Sequence, residues 1–483
     1  MADHIRAHTH FIDNRHEAAA DGQLLDLIDP STGRTSAKIA RGGAEDIDRA
    51  VASARRAFEG RWGALSALER GRLLRRLADA VLEHQHALAA LESQDTGKPT
   101  RQALADAVAL SRYFEFYAGA ADKLHGETIP SARGLTVLTI REPHGVTGHI
   151  IPWNYPMQIF GRSVGAALAT GNACVVKPAE WACRSLLRVA ELAAEVGLPG
   201  GALNIVTGLG AEAGQALADH PGIDHISFTG STATGARVAQ AAARRHSPVT
   251  LELGGKSPQI IFDDADLEAA TPVVVNAIIQ NAGQTCSAGS RVLVQRRIAP
   301  ALIERLAAAF SALRVGPASD DLDLGPLISA RQRGLVQQFL DQAEASALPV
   351  LARGQIAPHA PAEGYYLAPA LLGEVPEDHP VWQQEVFGPV LAIRSFADEA
   401  EALQLANGTD YGLVAGVWTQ DGARQMRLAR RLHCGQVFIN NYGAGGGIEL
   451  PFGGVKKSGY GREKGFEALY GFTALKTISL RHD

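Results

Sequence analysis

The segment NAGQTCSAGSR, residues 281–291, holds one cysteine, Cys286, among small and polar residues. Its neighbours form no apolar stripe that would bury the thiol, and they leave room for a ligand and for a backbone N–H that points at it. An unperturbed thiol has a pKa of about 8.5, so a nucleophile at this position needs activation. No histidine lies beside it, which disfavours a Cys–His hydrolase. These residues alone leave both a catalytic and a buried structural cysteine open.

Two other stretches carry groups that could serve such a thiol. In IIPWNYP, residues 150–156, two prolines fix an irregular segment that presents Trp153, Asn154 and Tyr155 just after a strand. A structural loop with an asparagine turn would have the same sequence. TLELGGKSP places Glu252 in apolar surroundings, which raise the pKa of a carboxyl group and suit a general base. A paired structural glutamate is the alternative.

Ligand-binding signals follow two predicted strands. ACVVKPAE places Lys177 and Glu180 just past a strand end, where a cation and an anion could hold ribose hydroxyls or form a solvated pair. HISFTGSTATG places Gly230 and Gly235 between a strand and a helix, a geometry that could hold a pyrophosphate at the helix N-terminus. It lacks the G-x-G-x-x-G spacing, so it is a weak dinucleotide signal.

Three further segments complete the candidate set. QQEVFGPV places Glu385 and Phe387 on one side of a predicted strand. PFGGVKKSGYGREKG, residues 451–465, predicts a glycine-rich reversal whose lysines are either functional or simply solvated. A glycine run at 445–447 is the one low-complexity patch of the chain.

Helical and strand patterns alternate around these segments. AEDIDRAVASARRAFEG has apolar residues on one helical face, and a second helical stretch from about 65 to 91 is stopped by DTGKP at 95–99. Short apolar strands separated by helices from 146 to 245 predict a parallel, doubly wound α/β sheet. LTVLTIR at 135–141 and TALKTISLR at 473–481 are β-like segments outside this rhythm.

Composition excludes several classes of protein. The 483 residues include 46 Lys+Arg and 51 Asp+Glu, a net charge of −5 without long blocks of one sign, so nucleic acid is not an expected partner. The four cysteines show neither metal-ligand spacing nor the density of a disulfide scaffold, and we expect no metal site. Without an apolar signal core or a long apolar stretch, the sequence predicts a cytoplasmic protein that does not enter the membrane.

Taken together, GQTCSAGSR, ELGGKSP, FTGST, PWN and PFGGxKxSG closely resemble the NAD(P)-dependent aldehyde dehydrogenase superfamily over nearly the whole chain. The resemblance implies an α/β fold with a Rossmann-type cofactor domain, an α/β catalytic domain and a small β oligomerisation extension. We expect the NAD-binding domain at 1–118 and 143–251 and the catalytic domain at 252–450. The extension and C-terminal segment would be 119–142 and 451–483, in a homodimer or homotetramer.

The same resemblance implies a role for each matching residue. Cys286 would be the nucleophile, Glu252 the base that activates the hydrolytic water, and the Asn154 amide with the Cys286 N–H would hold the oxyanion. Water rather than coenzyme A would accept the acyl group, because Glu252 is retained. NAD is the expected cofactor, with NADP as the alternative, since a Glu180 carboxylate repels a 2′-phosphate. The implied cofactor-binding residues are Trp153, Lys177, Glu180, Gly230, Ser231, Leu253, Glu385 and Phe387.

The residues expected to contact the substrate are Arg162, Tyr155 and Gln280. Arg162 matches a position where semialdehyde dehydrogenases carry an arginine, which could bind a substrate carboxylate or pair with a protein carboxylate. Gln280 stands where succinate-semialdehyde enzymes tend to have a second arginine, which speaks against that particular substrate. The expectation is a carboxylate-bearing semialdehyde, with a neutral or aromatic aldehyde as the alternative. An NAD-independent thiol esterase or acyltransferase and a non-enzymatic structural relative are alternatives of other classes.

Overall fold

The computed structural model describes residues 7–443 and 447–482. Within them, helices are α1 Ala44–Glu59, α2 Ala67–Glu83, α3 Gln85–Thr96, α4 Thr100–Ala120, α5 Pro156–Ala169, α6 Arg184–Glu195, α7 Gln215–Asp219, α8 Thr232–Ala243, α9 Leu267–Ile279, α10 Ala299–Ala312, α11 Ala330–Ala345, α12 Pro380–Gln383, α13 Glu399–Asn407, α14 Gly422–Arg431 and α15 Glu467–Gly471. None of the described helices is long and apolar enough to span a membrane.

Strands alternate with these helices along most of the chain. They are β1 Ala7–His8, β2 His10–Ile12, β3 Arg15–Glu17, β4 Leu24–Asp29, β5 Arg34–Ala40, β6 Thr128–Ile129, β7 Leu135–Pro143, β8 Val146–Ile151, β9 Ala173–Pro178, β10 Leu203–Ile205, β11 His225–Thr229, β12 Val249–Glu252, β13 Pro258–Ile261, β14 Arg291–Gln295, β15 Arg314–Val315, β16 Val350–Arg353, β17 Gln355–Ile356, β18 Ala370–Leu372, β19 Val390–Phe396, β20 Val414–Trp418, β21 Gln436–Ile439, β22 Gly459–Tyr460 and β23 Thr473–Arg481.

The first large sheet has the order β22-β12-β11-β8-β9-β10-β2-β3, and β12 through β10 run parallel. The parallel strands are short and buried on both faces, as the apolar runs between 146 and 245 predict. Helices α1, α5, α6 and α8 pack against these strands, and one hydrophobic core joins them. The doubly wound arrangement expected from the sequence is therefore present.

The second large sheet has the order β16-β18-β19-β14-β13-β20-β21 and a separate hydrophobic core. Its buried residues lie between Ile260 and Leu432, whereas the first core ends at Leu253 and resumes at Ala468. The second sheet thus interrupts the first in sequence. This division lies close to the predicted domain boundary at 252, and the domain limits themselves stay a prediction.

The two isolated β segments form a separate ribbon. β7 and β23 pair antiparallel along their whole length, from Thr473 opposite Pro143 to Arg481 opposite Leu135, and β6 pairs on the other side of β7. Both segments were expected to be β-like, and they lie within the ranges assigned to the β extension and the C-terminal segment. Leu475 and Leu480 are exposed on β23, so the ribbon presents apolar side chains to its surroundings.

Two local expectations were wrong. The helical stretch expected at 65–91 divides into α2 and α3 at His84, whose backbone leaves the helical region, and α3 continues to Thr96 before Gly97 ends it in the left-handed conformation. QQEVFGPV is not a strand: β19 begins only at Val390. Phe387 has a φ of 52°, which an extended strand does not allow.

Candidate active site

Cys286 lies in the irregular segment between α9 and β14. The backbone there is tightly constrained, since Asn281 and Ala282 have positive φ and a Cβ on Gly283 would lie 2.2 Å from the Gly388 carbonyl oxygen. A Cβ on Gly255 would likewise lie 2.4 Å from the Cys286 carbonyl oxygen. The glycines around the thiol therefore allow two backbone segments to approach closely, as small neighbours in the sequence suggested.

The thiol lies at the wall of a cavity that has a volume of about 540 Å³. Five of the predicted site residues line it: Asn154, Tyr155, Arg162, Gln280 and Cys286. Glu252 and the eight predicted cofactor residues do not line this cavity. The structure thus gathers the proposed nucleophile, the proposed oxyanion donor and all three proposed substrate residues around one cavity.

Burial raises the pKa of the Cys286 thiol to about 12. The Arg162 guanidinium opposes that shift, whereas the carboxylates of Glu385 and Glu252 reinforce it. Both carboxylates therefore lie within electrostatic reach of the sulfur. A thiol in this state is protonated at neutral pH, and it needs a base or a developing charge nearby to become a nucleophile.

Asn154 is buried and held by the same segment that carries the thiol. Its side-chain Nδ2 donates to the Gln284 backbone carbonyl oxygen at 3.0 Å, and its backbone carbonyl oxygen accepts from Asn281 Nδ2 at 2.8 Å. A side-chain amide has two hydrogens on nitrogen, so one donor of Asn154 remains for another acceptor. Thr285 adds a second link, because its Oγ1 lies 3.1 Å from the Tyr155 hydroxyl.

Glu252 ends β12, with Gly459 of β22 opposite it. The carboxyl group is buried, and neither oxygen has a hydrogen-bond partner among the described residues. Burial, followed by the charge of Glu463, raises the pKa of Glu252 well above its usual value. A desolvated carboxyl group with free lone pairs and a raised pKa has the properties of a general base.

Arg162 lies on α5 and is almost completely buried. Its Nε forms an ion pair with a carboxylate oxygen of Glu463, and its guanidinium carbon lies 4.9 Å from the centre of the Phe452 ring. The pair lacks hydrogen-bond alignment, and Nη2 has no partner within the described part of the chain. Arg162 therefore both faces a protein carboxylate and keeps donors unsatisfied beside the cavity.

The proposed cofactor residues follow three neighbouring parallel strands. In the order β11-β8-β9, Gly230 and Ser231 follow the first strand and Trp153 the second, while Lys177 lies near the end of the third with Glu180 beyond it. Carboxyl ends of adjacent parallel strands share one edge of a sheet, which is where α/β folds bind dinucleotides. This edge is the part of the chain that could hold such a cofactor.

Charged and polar groups at this edge are preorganised. Lys177 is buried, its Nζ lies 3.1 Å from a half-buried Glu180 carboxylate, and burial lowers its pKa. The Ser231 hydroxyl caps α8 by accepting from the Thr234 N–H at 3.3 Å. The first N–H groups of α8 thus face the strand end where an anion would be stabilised.

Aromatic and carboxylate groups from both sheets meet beside this edge. Trp153 contacts Trp181 and Phe387 with ring centres 6.1 and 5.4 Å apart. Glu385 accepts a hydrogen bond of 3.0 Å from the Gly255 N–H, and burial raises its pKa to about 7. These groups connect the predicted cofactor edge to the backbone beside Cys286.

The remaining cofactor candidate, Leu253, has a packing role that the geometry makes visible. A Cβ on Gly235 would lie 2.5 Å from Leu253 Cδ2. Leu253 therefore sets how closely α8 approaches β12.

Several site residues were missed by the sequence analysis. Glu463, Lys464 and Phe452 belong to the glycine-rich reversal at 451–465, whose lysines had solvation as one interpretation. That interpretation fits the exposed Lys457 but not Lys464, which is buried. A carboxylate between two cations, in the REK triplet, was the available signal.

Of the predicted glycine run at 445–447, only Gly447 falls within the described residues. Among those residues, no group of three or more His, Cys, Asp or Glu side chains could hold a metal ion.

Comparison with known proteins identifies the family of the chain. The sequence profile of the aldehyde dehydrogenase family matches residues 17–478, and the chain belongs to that family. The NADP/NAD-dependent aldehyde dehydrogenase PuuC of Escherichia coli K12 is 42% identical, over 97% of this chain and 94% of PuuC.

Two solved structures have the same fold. The crystal structure of a protein described as a putative aldehyde dehydrogenase, from Burkholderia cenocepacia, is similar to this chain with a TM-score of 0.98 and 69% identity. The alignment covers 98% of this chain and 100% of that one. The structure of PnpE from Pseudomonas sp. WBC-3 in complex with nicotinamide adenine dinucleotide has a TM-score of 0.96 and 42% identity, with 99% and 98% covered. The chain accordingly has the aldehyde dehydrogenase fold, and it is an aldehyde dehydrogenase.

Proposed function

We propose that this enzyme oxidises an aldehyde to a carboxylic acid through a thioester on Cys286, with NAD(P) as the oxidant. The observation that carries the proposal is the grouping of Cys286 and Asn154 at one cavity, with the unpartnered carboxyl group of Glu252 within electrostatic reach of the sulfur. The Cys286 sulfur would attack the aldehyde carbon while its proton passes to Glu252. The second N–H of Asn154 and the Cys286 N–H would stabilise the oxyanion that forms.

The nicotinamide ring supplies the hydride acceptor when the cofactor is bound. The chain's own residues then complete the reaction. Loss of hydride from the substrate carbon leaves a thioester on Cys286. Glu252 then releases to bulk water the proton it took from sulfur, takes another from the water that hydrolyses the thioester, and passes it to the departing sulfur. The products are the free thiol and a carboxylic acid, so no acyl acceptor other than water is required.

The cofactor proposal rests on the strand edge that carries Lys177, Glu180 and the start of α8. These groups fit a dinucleotide because they offer a cation, a carboxylate for ribose hydroxyls and free N–H groups for a pyrophosphate. The Glu180 carboxylate would repel a 2′-phosphate, which favours NAD over NADP. The solved complex of PnpE with nicotinamide adenine dinucleotide and the NADP/NAD-dependent PuuC support this cofactor class.

Replacement of the proposed nucleophile tests the reaction. We expect Cys286→Ala to abolish NADH formation from aldehydes while NAD still binds, because the variant removes only the sulfur. Cys434→Ala is the matched control, since that half-buried cysteine does not line the cavity. Substantial turnover by Cys286→Ala would contradict the nucleophile assignment, and thiol-dependent turnover of esters with no NADH formed from any aldehyde would favour an esterase or acyltransferase.

For the substrate, we propose an aldehyde that carries a carboxylate at its far end. Arg162 lines the cavity with two guanidinium nitrogens outside any aligned hydrogen bond, and a guanidinium binds carboxylates in a bidentate fork. The positive charges of Arg162, Arg462 and Lys464 all lower the pKa of Glu252, and the negative charge of Glu463 raises it. Positive groups that could attract a substrate carboxylate are therefore in the majority around Glu252. The ion pair of Arg162 with Glu463 is the observation that favours the alternative, a neutral or aromatic aldehyde.

A length-matched pair of aldehydes distinguishes these substrates. With an ω-carboxylate aldehyde and its uncharged alkyl analogue, at two chain lengths, we expect kcat/KM to be roughly tenfold to hundredfold higher for the acid if a charged hydrogen bond is made. Arg162→Lys should reduce that preference, because it keeps the charge beside Glu463 but loses the fork. Equal or reversed rates for the wild-type enzyme would assign Arg162 a structural role and support the neutral substrate.

We further propose a reducing, cytoplasmic location and a homodimer or homotetramer. All four cysteines are free, which is typical of proteins in a reducing compartment. Exposed apolar side chains on the β7–β23 ribbon support self-association.

A further inference from the structure

A line of buried polar side chains leads away from the proposed active site into the first sheet. His149 on β8 and Ser227 on β11 are direct partners in the strand register, and Ser163 of α5 lies over both. The contacts are 2.6 Å from His149 Nδ1 to Ser163 Oγ, 2.9 Å from Ser163 Oγ to Ser227 Oγ, and 2.9 Å from Ser227 Oγ to a Glu463 oxygen. Thr147 Oγ1 continues the line at 2.8 Å from His149 Nε2.

Each hydroxyl has a single hydrogen, so the direction of this chain is fixed by its end. Glu463 is ion-paired with Arg162, and its other oxygen accepts from Ser227. Ser227 must then accept from Ser163, which leaves His149 Nδ1–H as the donor to Ser163. Burial lowers the pKa of His149 to about 3, so the ring is neutral and Nε2 accepts from Thr147. From His149 Nδ1 onward, every hydrogen along the line points toward Glu463.

We propose that Ser227, Ser163 and His149 are positioning residues that hold the Glu463 carboxylate against Arg162, where its charge makes Glu252 a stronger base. The proposal rests on the proposed role of Glu252 in thioester hydrolysis. The hydrogen bond from Ser227 to one oxygen and the ion pair of Arg162 with the other fix where this charge lies. A second carboxyl group nearby then binds a proton more tightly, because two like charges in a buried site repel.

Other charged groups around the two carboxyl groups act in both directions. Arg162, Arg462 and Lys464 favour ionised Glu252, whereas burial and Glu463 disfavour it. Arg162, Glu252 and, from α4, Tyr113 and Tyr117 are among the titratable groups that interact with Glu463, which Arg462 and Lys464 flank in the chain. His225 interacts with His149. Both tyrosine pKa values are raised, mainly by burial, so these phenols stay neutral near neutral pH. Neutral His225 likewise adds no charge, because burial lowers its pKa.

The pH dependence of deacylation measures this coupling directly. p-Nitrophenyl acetate would acylate Cys286 without NAD, and release of acetate from the acyl-enzyme can be followed as a function of pH. We expect Ser227→Ala to move the midpoint of the deacylation profile to lower pH by roughly one unit, the scale on which a neighbouring charge shifts a carboxyl group. The plateau rate should also fall, because a weaker base removes the water proton less effectively.

Further variants separate this role from simple packing. Ser163→Ala should shift the midpoint in the same direction, and Ser227→Thr, which keeps the hydroxyl, should restore it. Ser111→Ala removes another buried hydroxyl, one that donates to the Ala78 carbonyl oxygen in the helical layer, and should leave the profile unchanged. If Ser227→Ala does not fold, Ser163→Ala gives the decision.

Two results overturn different statements. An intact acylation burst with unchanged midpoints in Ser227→Ala and Ser163→Ala would overturn the positioning role. A wild-type enzyme that shows no acylation of Cys286 by the ester would instead contradict the proposed nucleophile.

Discussion

At the scale of single residues, the proposed nucleophile releases its proton with difficulty, and the proposed base binds a proton tightly. Burial raises the pKa of Cys286 to about 12 and raises the pKa of Glu252 well above its usual value. Neither group carries a charge readily while the other is charged, because each lies in the other's field. Transfer of one proton from sulfur to carboxylate leaves the net charge of the pair unchanged, which is the least costly way to form a thiolate in such surroundings.

Glu252→Gln separates the two half-reactions. The amide can take a proton neither from sulfur nor from water, so we expect a burst of NADH that forms more slowly than in the wild-type enzyme, is no larger than one per active site, and is followed by still slower turnover. Wild-type deacylation should rise with pH as Glu252 loses its proton, and it should do so above the usual pKa of a glutamate because the pKa is raised. The variant should lack that dependence.

Rapid-mixing absorbance at several pH values provides the measurement. Glu304→Gln, at an exposed position on α10, is the control and should behave as the wild-type enzyme. Unchanged steady-state turnover without a burst in Glu252→Gln would remove this carboxyl group from the mechanism.

The sequence indicated the groups that we propose to react, but not the groups that contact them. Cys286, Glu252 and Asn154 stand in recognisable motifs, and their neighbours leave space around them. Glu463 was missed because its importance comes from contacts with Arg162 and Ser227, which are distant in the chain. Such contacts depend on how β22 pairs onto β12, and a single sequence carries no signal for that register.

At the scale of elements, the spacing of apolar residues predicted a helix correctly where the helix buries one apolar face. α1 has the predicted face, with Ile47, Val51 and Ala54 buried. The stretch from 65 to 91 looked continuous because Leu and Ala continue on both sides of His84. His84 nevertheless breaks it, since that one residue both ends α2 and starts α3.

The segment QQEVFGPV was expected to be a strand and is irregular for a different reason. Alternation of polar and apolar residues over so few positions also describes an irregular segment. The left-handed Phe387 and the following Gly-Pro prevent pairing, so Glu385 is free to accept from the Gly255 N–H. The aromatic contact with Trp153 depends on the same irregularity.

At the scale of the whole molecule, the β7–β23 ribbon gives a test of assembly. Leu475 and Leu480 on β23 are 57% and 49% exposed. If this ribbon mediates self-association, Leu475→Glu with Leu480→Glu should reduce the particle mass in multi-angle light scattering, because burying a carboxylate at an apolar contact is unfavourable. Leu68→Glu, on α2 and 50% exposed, is the matched control and should keep the wild-type mass. An unchanged mass for the double variant would assign assembly to another surface.

The interruption of the first core by the second also determines when activity can appear during folding. The sequence that completes the first sheet, β22 and the segment up to Phe472, is separated from Leu253 by the entire second core. Closing so long a connection costs entropy, and the loop shortens once the intervening residues have compacted on their own. Glu463 reaches Arg162 only after that closure. A partly folded chain therefore carries Cys286 without its complete set of neighbours. The surroundings of this thiol are completed only when the last long-range contacts form.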